Sequence, residues 1–254
     1  MISKNKNVDI DFTAVKPYNQ DEAKTAQLSR MFNAISEQYD KFNDIMTWGL
    51  ARNWRKIALK SLKQYDPKSI LDIAAGTADM CIKAFQYLQP NQVIGIDISA
   101  QMIEVGKLKV AKAGLSDKIL LQVEDCSSLS FEEKSFDAAT IAFGIRNFEK
   151  LNESIQQIHR VLKPNGHLLI LEMNEPKKAY MIKAYQLYTQ IFVKLTAKYL
   201  STDKKAYDYL TASMHAFPSG NELISILNQN KFKLCRYRRF VFGVCSMYLV
   251  ERIE

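Results

Sequence analysis

The sequence predicts an α/β fold in which a mainly parallel sheet of seven strands carries helices on both faces and ends in an antiparallel hairpin. Short apolar runs alternate with helical stretches through the middle of the chain, a spacing that requires parallel strands joined by helical crossovers. Two further strand-like runs follow each other at the C-terminus, joined by a tight connection at Gly243. The predicted strands are 69–75, 93–98, 119–124, 136–143, 167–173, 232–241 and 244–251.

Helical periodicity accounts for most of the remaining chain. From residue 21 to about residue 63, apolar residues recur at steps of three and four, with interruptions at Asn43-Asp44 and at Gly49. Residues 1–20 are polar and irregular, and we expect a flexible arm there. Further helices are predicted at 79–89, 100–113, 150–162, 177–199, 205–216 and 220–230.

The composition fits one globular domain over residues 21–254. Of the 254 residues 47% are apolar and 24% charged, and no apolar run approaches the roughly 20 residues that cross a bilayer. Four cysteines without CxxC spacing indicate neither zinc nor disulfides and favour a cytoplasmic protein with reduced thiols. Within the domain we expect a helical cap at 21–65, a ligand-binding core at 66–176, a helical insertion at 177–230 and the hairpin at 231–254.

The first predicted strand runs into a loop of small residues, 71-LDIAAGTAD-79. Gly76 lies at the turn into the next helix, and small neighbours let a ligand approach the backbone closely. Only one glycine of the GxGxxG pattern of dinucleotide sites is present, so the loop favours a ligand without phosphates there. We expect Asp72, Gly76 and Thr77 to contribute to this site.

Two further strand ends carry acidic residues that suit an adenosine group. Asp97 ends the second strand, where a carboxylate can accept hydrogen bonds from both ribose hydroxyls. Asp125-Cys126 end the third strand, where a carboxylate and a backbone N–H can meet an adenine edge. A single aspartate at a strand end also serves as a helix cap. Together in this order, the three strand ends predict a cofactor crevice.

Several longer motifs carry a family resemblance that covers residue 30 to the C-terminus. The selective ones are 39-YDKFNDIMTWGLARNWR-55, 142-AFGIRNF-148 and 207-YDYLTASMHAFP-218, while 160-RVLKPNGHLLILE-172 is shared more widely. On these motifs the chain resembles the UbiE/MenG family of ubiquinone and menaquinone biosynthesis C-methyltransferases. The resemblance implies a Rossmann-like class I methyltransferase fold, S-adenosylmethionine as cofactor and a polyprenylated quinol as substrate. Some members of the family have serine where this chain has Ala142.

The resemblance also places the cofactor against Gly76, Thr77, Asp97, Asp125 and Cys126. It implies methylation of a ring carbon, as in the conversion of demethylmenaquinol to menaquinol, with benzoquinol methylation as the alternative. No cluster of metal-ligand spacing is present, so we expect no metal.

Methylation of a ring carbon is helped by a phenolate, which releases its proton only near pH 10 without assistance. Arg146 and Asn147 follow the fourth strand, and we expect both to reach the substrate, the arginine as an electrostatic stabiliser. Tyr39 and Asp44 are expected to close over the site, with Asp44 as a candidate base. The structural alternatives are that Arg146 pairs with Glu149 and that Tyr39 and Asp44 only pack and cap a helix.

The partners are less sharply defined by the sequence. Residues 177–200 carry five lysines and no acidic residue, with tyrosines and aliphatic residues on one helical face. This pattern fits a peripheral helix on an anionic membrane, and equally a helix that packs on the sheet. The net charge of +8 would also suit nucleic acid, but the chain lacks the Pro-Pro-Tyr and Pro-Cys motifs of those methyltransferases. A homodimer, another small-molecule substrate or a non-catalytic scaffold role stays open.

Overall fold

A computed structural model of the chain describes residues 12–174 and 204–254. All seven predicted strands are present, forming one sheet. They are β1 (Ser69–Ile73), β2 (Gln92–Asp97), β3 (Ile119–Val123), β4 (Phe136–Ala142), β5 (Leu162–Met173), β6 (Phe232–Phe240) and β7 (Cys245–Arg252).

The strand order across the sheet is β3-β2-β1-β4-β5-β7-β6. Strands β1 to β5 are parallel, and β7 lies antiparallel between β5 and β6. The predicted parallel core and C-terminal hairpin are therefore confirmed. Strand β5 begins at Leu162 rather than at the predicted His167. The early start arises because the pairing of β4 with β5 contains a bulge, in which Asn165 adopts a φ of 60°.

Eight α-helices lie in the described part of the chain. They are α1 (Lys24–Ile35), α2 (Tyr39–Met46), α3 (Leu50–Leu62), α4 (Asp79–Leu88), α5 (Ala100–Lys112), α6 (Leu151–Val161), α7 (Lys204–Ala216) and α8 (Asn221–Gln229). None of them is long and apolar enough to span a membrane. The helix predicted at 177–199 lies outside the described residues.

The predicted interruption at Asn43-Asp44 is wrong, because both residues lie inside α2. The predicted interruption at Gly49 is confirmed, because Trp48 and Gly49 have φ values of 51° and 70°, both left-handed. Two successive left-handed residues cannot continue a right-handed helix, and they turn the chain from α2 into α3.

Helices cover both faces of the sheet. Helices α3, α4 and α5 pack on one face, where Leu59 and Ile103 are fully buried. Helices α6 and α8 pack on the other, where Ile155 and Leu223 are fully buried. Because both faces are covered, the central strands are apolar along most of their length, as their sequences predicted.

Helices α1 and α2 lie over the carboxyl ends of the parallel strands. The Ser29 hydroxyl of α1 donates to the Ile98 carbonyl, directly after β2, at 3.1 Å. Residues 12–20, predicted as part of a flexible arm, pack on the domain: Phe12 meets Phe217 edge-on at 5.4 Å, and the Tyr18 amide donates to Gln27. These contacts hold the N-terminal region as a roof over one end of the sheet.

Candidate active site

The carboxyl ends of β1 to β4 and the roof formed by α1 and α2 enclose a cavity of about 350 Å³. This volume lies in the range of small-molecule sites, roughly 300–1,000 Å³. Six of the ten site residues predicted from the sequence border it, and four do not. The six are Tyr39, Gly76, Asp97, Asp125, Cys126 and Asn147.

Gly76 forms the floor of the cavity beside β1. Ala74, Gly76 and Ala78 all have positive φ, so the loop is tightly curled and presents backbone rather than side chains. A Cβ atom at Gly76 would come 3.8 Å from the Tyr39 ring. Tyr39 therefore covers the loop from α2, and a ligand that lies on Gly76 also meets this ring.

Asp97 is the best-organised polar group of the cavity. Its Oδ2 accepts from the Gly76 amide at 2.8 Å and its Oδ1 from the Ser99 amide at 2.9 Å. Burial raises the pKa of Asp97, and these backbone hydrogen bonds partly oppose the shift. The two amides fix the carboxylate in one orientation. Its remaining lone pairs can accept hydrogen bonds from hydroxyl groups of a ligand in the cavity.

Asp125 and Cys126 border the cavity after β3. The Asp125 carboxylate accepts from the Ser127 amide at 2.8 Å, which fixes the turn that follows the strand. The Cys126 thiol donates to the Ser154 hydroxyl at 3.3 Å. Burial raises the pKa of Cys126 to about 12, so this thiol stays protonated and is no nucleophile at neutral pH.

Asp72 and Thr77 do not border the main cavity: Asp72 lies beneath the loop, and Thr77 lines a smaller cavity of about 20 Å³ beside Gly76, so their expected contact with the cofactor stays a prediction. The Asp72 carboxylate accepts from Thr140 at 2.6 Å and from the Cys81 thiol at 3.1 Å. The Thr77 hydroxyl donates to Asp40 of α2 at 2.5 Å. Both side chains hold the loop in place, because Asp72 ties β1 to its neighbours and Thr77 ties the loop to the roof.

Arg146 is also turned away from the main cavity. Its Nη1 donates to Glu172 Oε1 at 2.5 Å and to the Phe143 carbonyl at 2.7 Å, and both charged side chains are buried. Burial disfavours the charged form, but Glu172 raises the pKa of Arg146. The structural alternative, a pairing with Glu149, does not occur, because Glu172 is the partner of Arg146. Among the described residues, Arg146 Nε has no hydrogen-bond partner, and the side chain borders a small cavity of about 30 Å³.

Of the two other residues predicted to act on the substrate, Asn147 borders the main cavity and Asp44 does not. Asn147 borders the main cavity, and its Oδ1 accepts from the Tyr209 hydroxyl of α7 at 3.0 Å. This bond directs the amide N–H2 towards other partners. Asp44 instead forms an ion pair with Arg52 at the surface, with a third of its side chain exposed. Its carboxylate pairs with Arg52 and does not border the cavity, and its expected role as a base stays a prediction.

Glu149 organises the roof, a role that no local sequence pattern indicates. Its carboxylate accepts from the Lys24 and Thr25 amides, at 3.1 and 2.8 Å, and from the Thr25 hydroxyl. Burial would raise the pKa of Glu149, but the bonds from Thr25 outweigh it and lower that pKa. Glu149 thus caps α1 from 124 residues away, which no local pattern reveals.

Comparisons with known proteins agree with this geometry. Residues 20–251 match the sequence profile of the ubiE/COQ5 methyltransferase family. The chain belongs to this family. A demethylmenaquinone methyltransferase of Bacteroides fragilis is 43% identical over 94% of this chain and 97% of its own length. A ubiquinone/menaquinone biosynthesis C-methyltransferase UbiE of Geotalea daltonii is 33% identical over 90% of this chain and 97% of its own length.

Solved structures resemble the fold at much lower identity. The [4+2]-cyclase SpnF matches with a TM-score of 0.67 at 13% identity, over 90% of this chain and 96% of its own. A SAM-dependent methyltransferase from Aquifex aeolicus matches with a TM-score of 0.54 at 15% identity, over 73% and 82%. These likenesses concern the Rossmann-like methyltransferase fold alone.

As a member of this methyltransferase family, the chain uses S-adenosylmethionine as its methyl donor. The residues of the cavity fit that molecule. Four carboxylates border the cavity, Asp97, Glu124, Asp125 and Glu149, against the single cation Lys150 among the described residues. This charge suits a sulfonium cation and repels a phosphate group. The bare backbone at Gly76 gives the close approach that the loop sequence predicted.

Proposed function

We propose that this chain transfers the methyl group of S-adenosylmethionine to a ring carbon of a polyprenylated quinol, with demethylmenaquinol as the substrate. The high identity to the Bacteroides fragilis demethylmenaquinone methyltransferase over nearly all of both chains supports this substrate. The observation that carries the proposal is a second, mainly apolar cavity beside the first, with the Arg146 guanidinium on its wall.

The two cavities meet at Phe143, which borders both. The smaller one lies between α2, β5 and α7, and its walls include the methionines Met46, Met173 and Met214. At about 30 Å³ this cavity is too small for an aromatic ring, and the flexible methionine side chains are the part of its wall that can rearrange to admit one. A quinol ring at this junction lies next to the loop where the methyl donor binds.

Two residues with N–H donors follow Phe143 closely in the chain: Arg146 borders the smaller cavity and Asn147 the larger one. Arg146 Nε is buried without a partner among the described residues, a costly state that a substrate oxygen would relieve. The Asn147 amide borders the junction from the other cavity, oriented by Tyr209. When bound, S-adenosylmethionine supplies the electrophilic methyl group.

Arg146 and Asn147 would stabilise the phenolate that forms when the quinol hydroxyl passes its proton to solvent water, and this phenolate concentrates negative charge on the adjacent ring carbon. Arg146 does not take up the proton itself, because its pKa lies even above the usual high value of arginine. Its pairing with Glu172 leaves the guanidinium as an oriented donor rather than as an uncompensated charge.

A methyl-transfer assay tests the substrate. The full chain is incubated with labelled S-adenosylmethionine and, in separate micellar samples, with demethylmenaquinol or with the corresponding methoxy-substituted polyprenyl benzoquinol. We expect label in menaquinol. Transfer only to the benzoquinol would replace the substrate assignment, and transfer to neither by a folded protein that binds cofactor would refute quinol methylation.

We also propose peripheral contact with an anionic membrane, since the substrate carries a polyprenyl tail. The lysine-rich residues 177–200 support this contact through their sequence pattern, although they lie outside the described residues. The chain is expected to sediment with phosphatidylglycerol vesicles and not with phosphatidylcholine vesicles. A homodimer stays a prediction that light scattering would check.

A further inference from the structure

Arg55 of α3 is a buried guanidinium that makes no hydrogen bond among the residues that the structure describes. Only 8% of its side chain is exposed, and Nε is completely enclosed without a partner. Its nearest carboxylate oxygen, Asp79 Oδ2, lies 3.8 Å away, beyond hydrogen-bond distance. A buried cation without hydrogen bonds is costly to maintain, so the arrangement calls for a ligand.

The guanidinium faces a space that connects with the cofactor cavity. Arg55 borders a small cavity of about 20 Å³. Tyr39, Ala74, Gly76 and Ala142 line both this space and the main cavity. A volume of this size holds one small polar group, since a single water needs about 10–15 Å³ by the same measure. A group that projects past Gly76 from the main cavity therefore arrives at Arg55.

The order of strands gives the direction of the ligand. Asp125, Asp97 and Gly76 lie at the carboxyl ends of β3, β2 and β1, which are neighbours in the sheet in that order. A nucleoside with its base at Asp125 and its ribose at Asp97 points its remaining substituent over Gly76 towards β4. Arg55 lies at that end, beside Ala142.

We propose that Arg55 binds the α-carboxylate of the methionine part of S-adenosylmethionine. The inference rests on the cofactor of the proposed function. Guanidinium and carboxylate groups match in plane and spacing and form paired, charge-assisted hydrogen bonds. Arg55 has five N–H donors to offer, and the described residues occupy none of them with a hydrogen bond.

The surroundings hold Arg55 ready for this partner. The guanidinium lies 5.0 Å from the centre of the Phe143 ring, which orients it by a cation–π contact. Asp79 forms an ion pair with Arg55 through Oδ2 at 3.8 Å without a hydrogen bond, while its Oδ1 accepts from Lys109 Nζ at 2.5 Å. Burial would raise the pKa of Asp79, but Lys109 lowers it, and the carboxylate stays charged and balances Arg55 without binding it.

The test compares ligands with and without the carboxylate by isothermal titration calorimetry. For Arg55→Met, we expect the Kd of S-adenosylhomocysteine to rise roughly 10- to 100-fold, as for the loss of a charged hydrogen bond. Decarboxylated S-adenosylmethionine and methylthioadenosine lack the group that Arg55 binds, and their Kd should change less than about twofold by the same reasoning.

Arg52→Met is the matched control, because Arg52 lies on the same helix with its guanidinium exposed and paired with Asp44. It should leave all three affinities unchanged. An equal loss for all ligands in Arg55→Met would make Arg55 structural, and no loss would place the carboxylate elsewhere; either result overturns the inference. If Arg55→Met does not fold, Arg55→Lys replaces it, because a single ammonium group loses the paired hydrogen bonds: the Kd of S-adenosylhomocysteine should rise and that of methylthioadenosine should not, and an unchanged ratio of the two Kd values overturns the inference. If the natural chain bound none of the ligands, the result would instead refute the binding of S-adenosylmethionine, on which the proposed function depends.

Discussion

Asp72 offers a sharp test, because its carboxylate is buried inside the sheet and has only neutral hydrogen-bond partners, Thr140 and Cys81. Burial raises the pKa of Asp72 from about 3.8 to about 6. The unfolded chain therefore releases this proton at lower pH than the folded chain does. Between pH 4 and pH 7 the ionisation of Asp72 favours the unfolded state, by up to about 3 kcal/mol at 1.36 kcal/mol per pKa unit.

The perturbation is Asp72→Asn, which keeps the shape and removes the titration. We expect the free energy of unfolding of the variant, relative to the natural chain, to increase by about 2 kcal/mol between pH 4.5 and pH 7.5, because about 1 kcal/mol of the full effect is already present at pH 4.5. Urea denaturation monitored by circular dichroism at four pH values measures this difference. The subtraction removes the contributions of all other carboxylates.

Asp137→Asn is a control, because its effect on the free energy of unfolding should change with pH in the opposite direction. Burial opposes the charged form of Asp137, but the Lys163 ammonium and the Ser69 amide and hydroxyl outweigh it and lower its pKa. The free energy of unfolding of Asp137→Asn, relative to the natural chain, should therefore fall as the pH rises through the acidic range. A difference for Asp72→Asn that does not depend on pH would refute the argument. A large loss of S-adenosylhomocysteine affinity in Asp72→Asn would restore Asp72 to the cofactor site.

Three other substitutions test the site. Glu172→Gln leaves the buried Arg146 guanidinium without a counter-charge and should lower the free energy of unfolding by about 3–5 kcal/mol in urea; a loss below about 1 kcal/mol would contradict the ion pair. Tyr209→Phe releases the Asn147 amide, so kcat should fall roughly 10- to 100-fold with an unchanged Kd for S-adenosylhomocysteine; a parallel loss of affinity would contradict this positioning role. Asp97→Asn should raise that Kd roughly 10- to 100-fold by calorimetry; a change within twofold would remove Asp97 from the ribose site.

The sequence predicted the architecture and the location of the cavity. Apolar periodicity depends on burial along one element at a time, so the seven strands and most helices could be read locally. The positions of Gly76, Asp97 and Asp125 followed because parallel strands bring their carboxyl ends to one edge of the sheet. These residues act through where the backbone places them.

The directions of the charged side chains were decided only by the tertiary structure. Arg146 turns from the main cavity to Glu172, 26 residues further along the chain, and Glu149 caps a helix that begins 125 residues earlier. Arg55 belongs to a motif that the sequence singled out, but nothing in that motif shows that its donors stay without hydrogen bonds beside Gly76. A side chain's direction depends on partners distant in sequence and on the cost of burying a charge, and neither is visible in a local pattern.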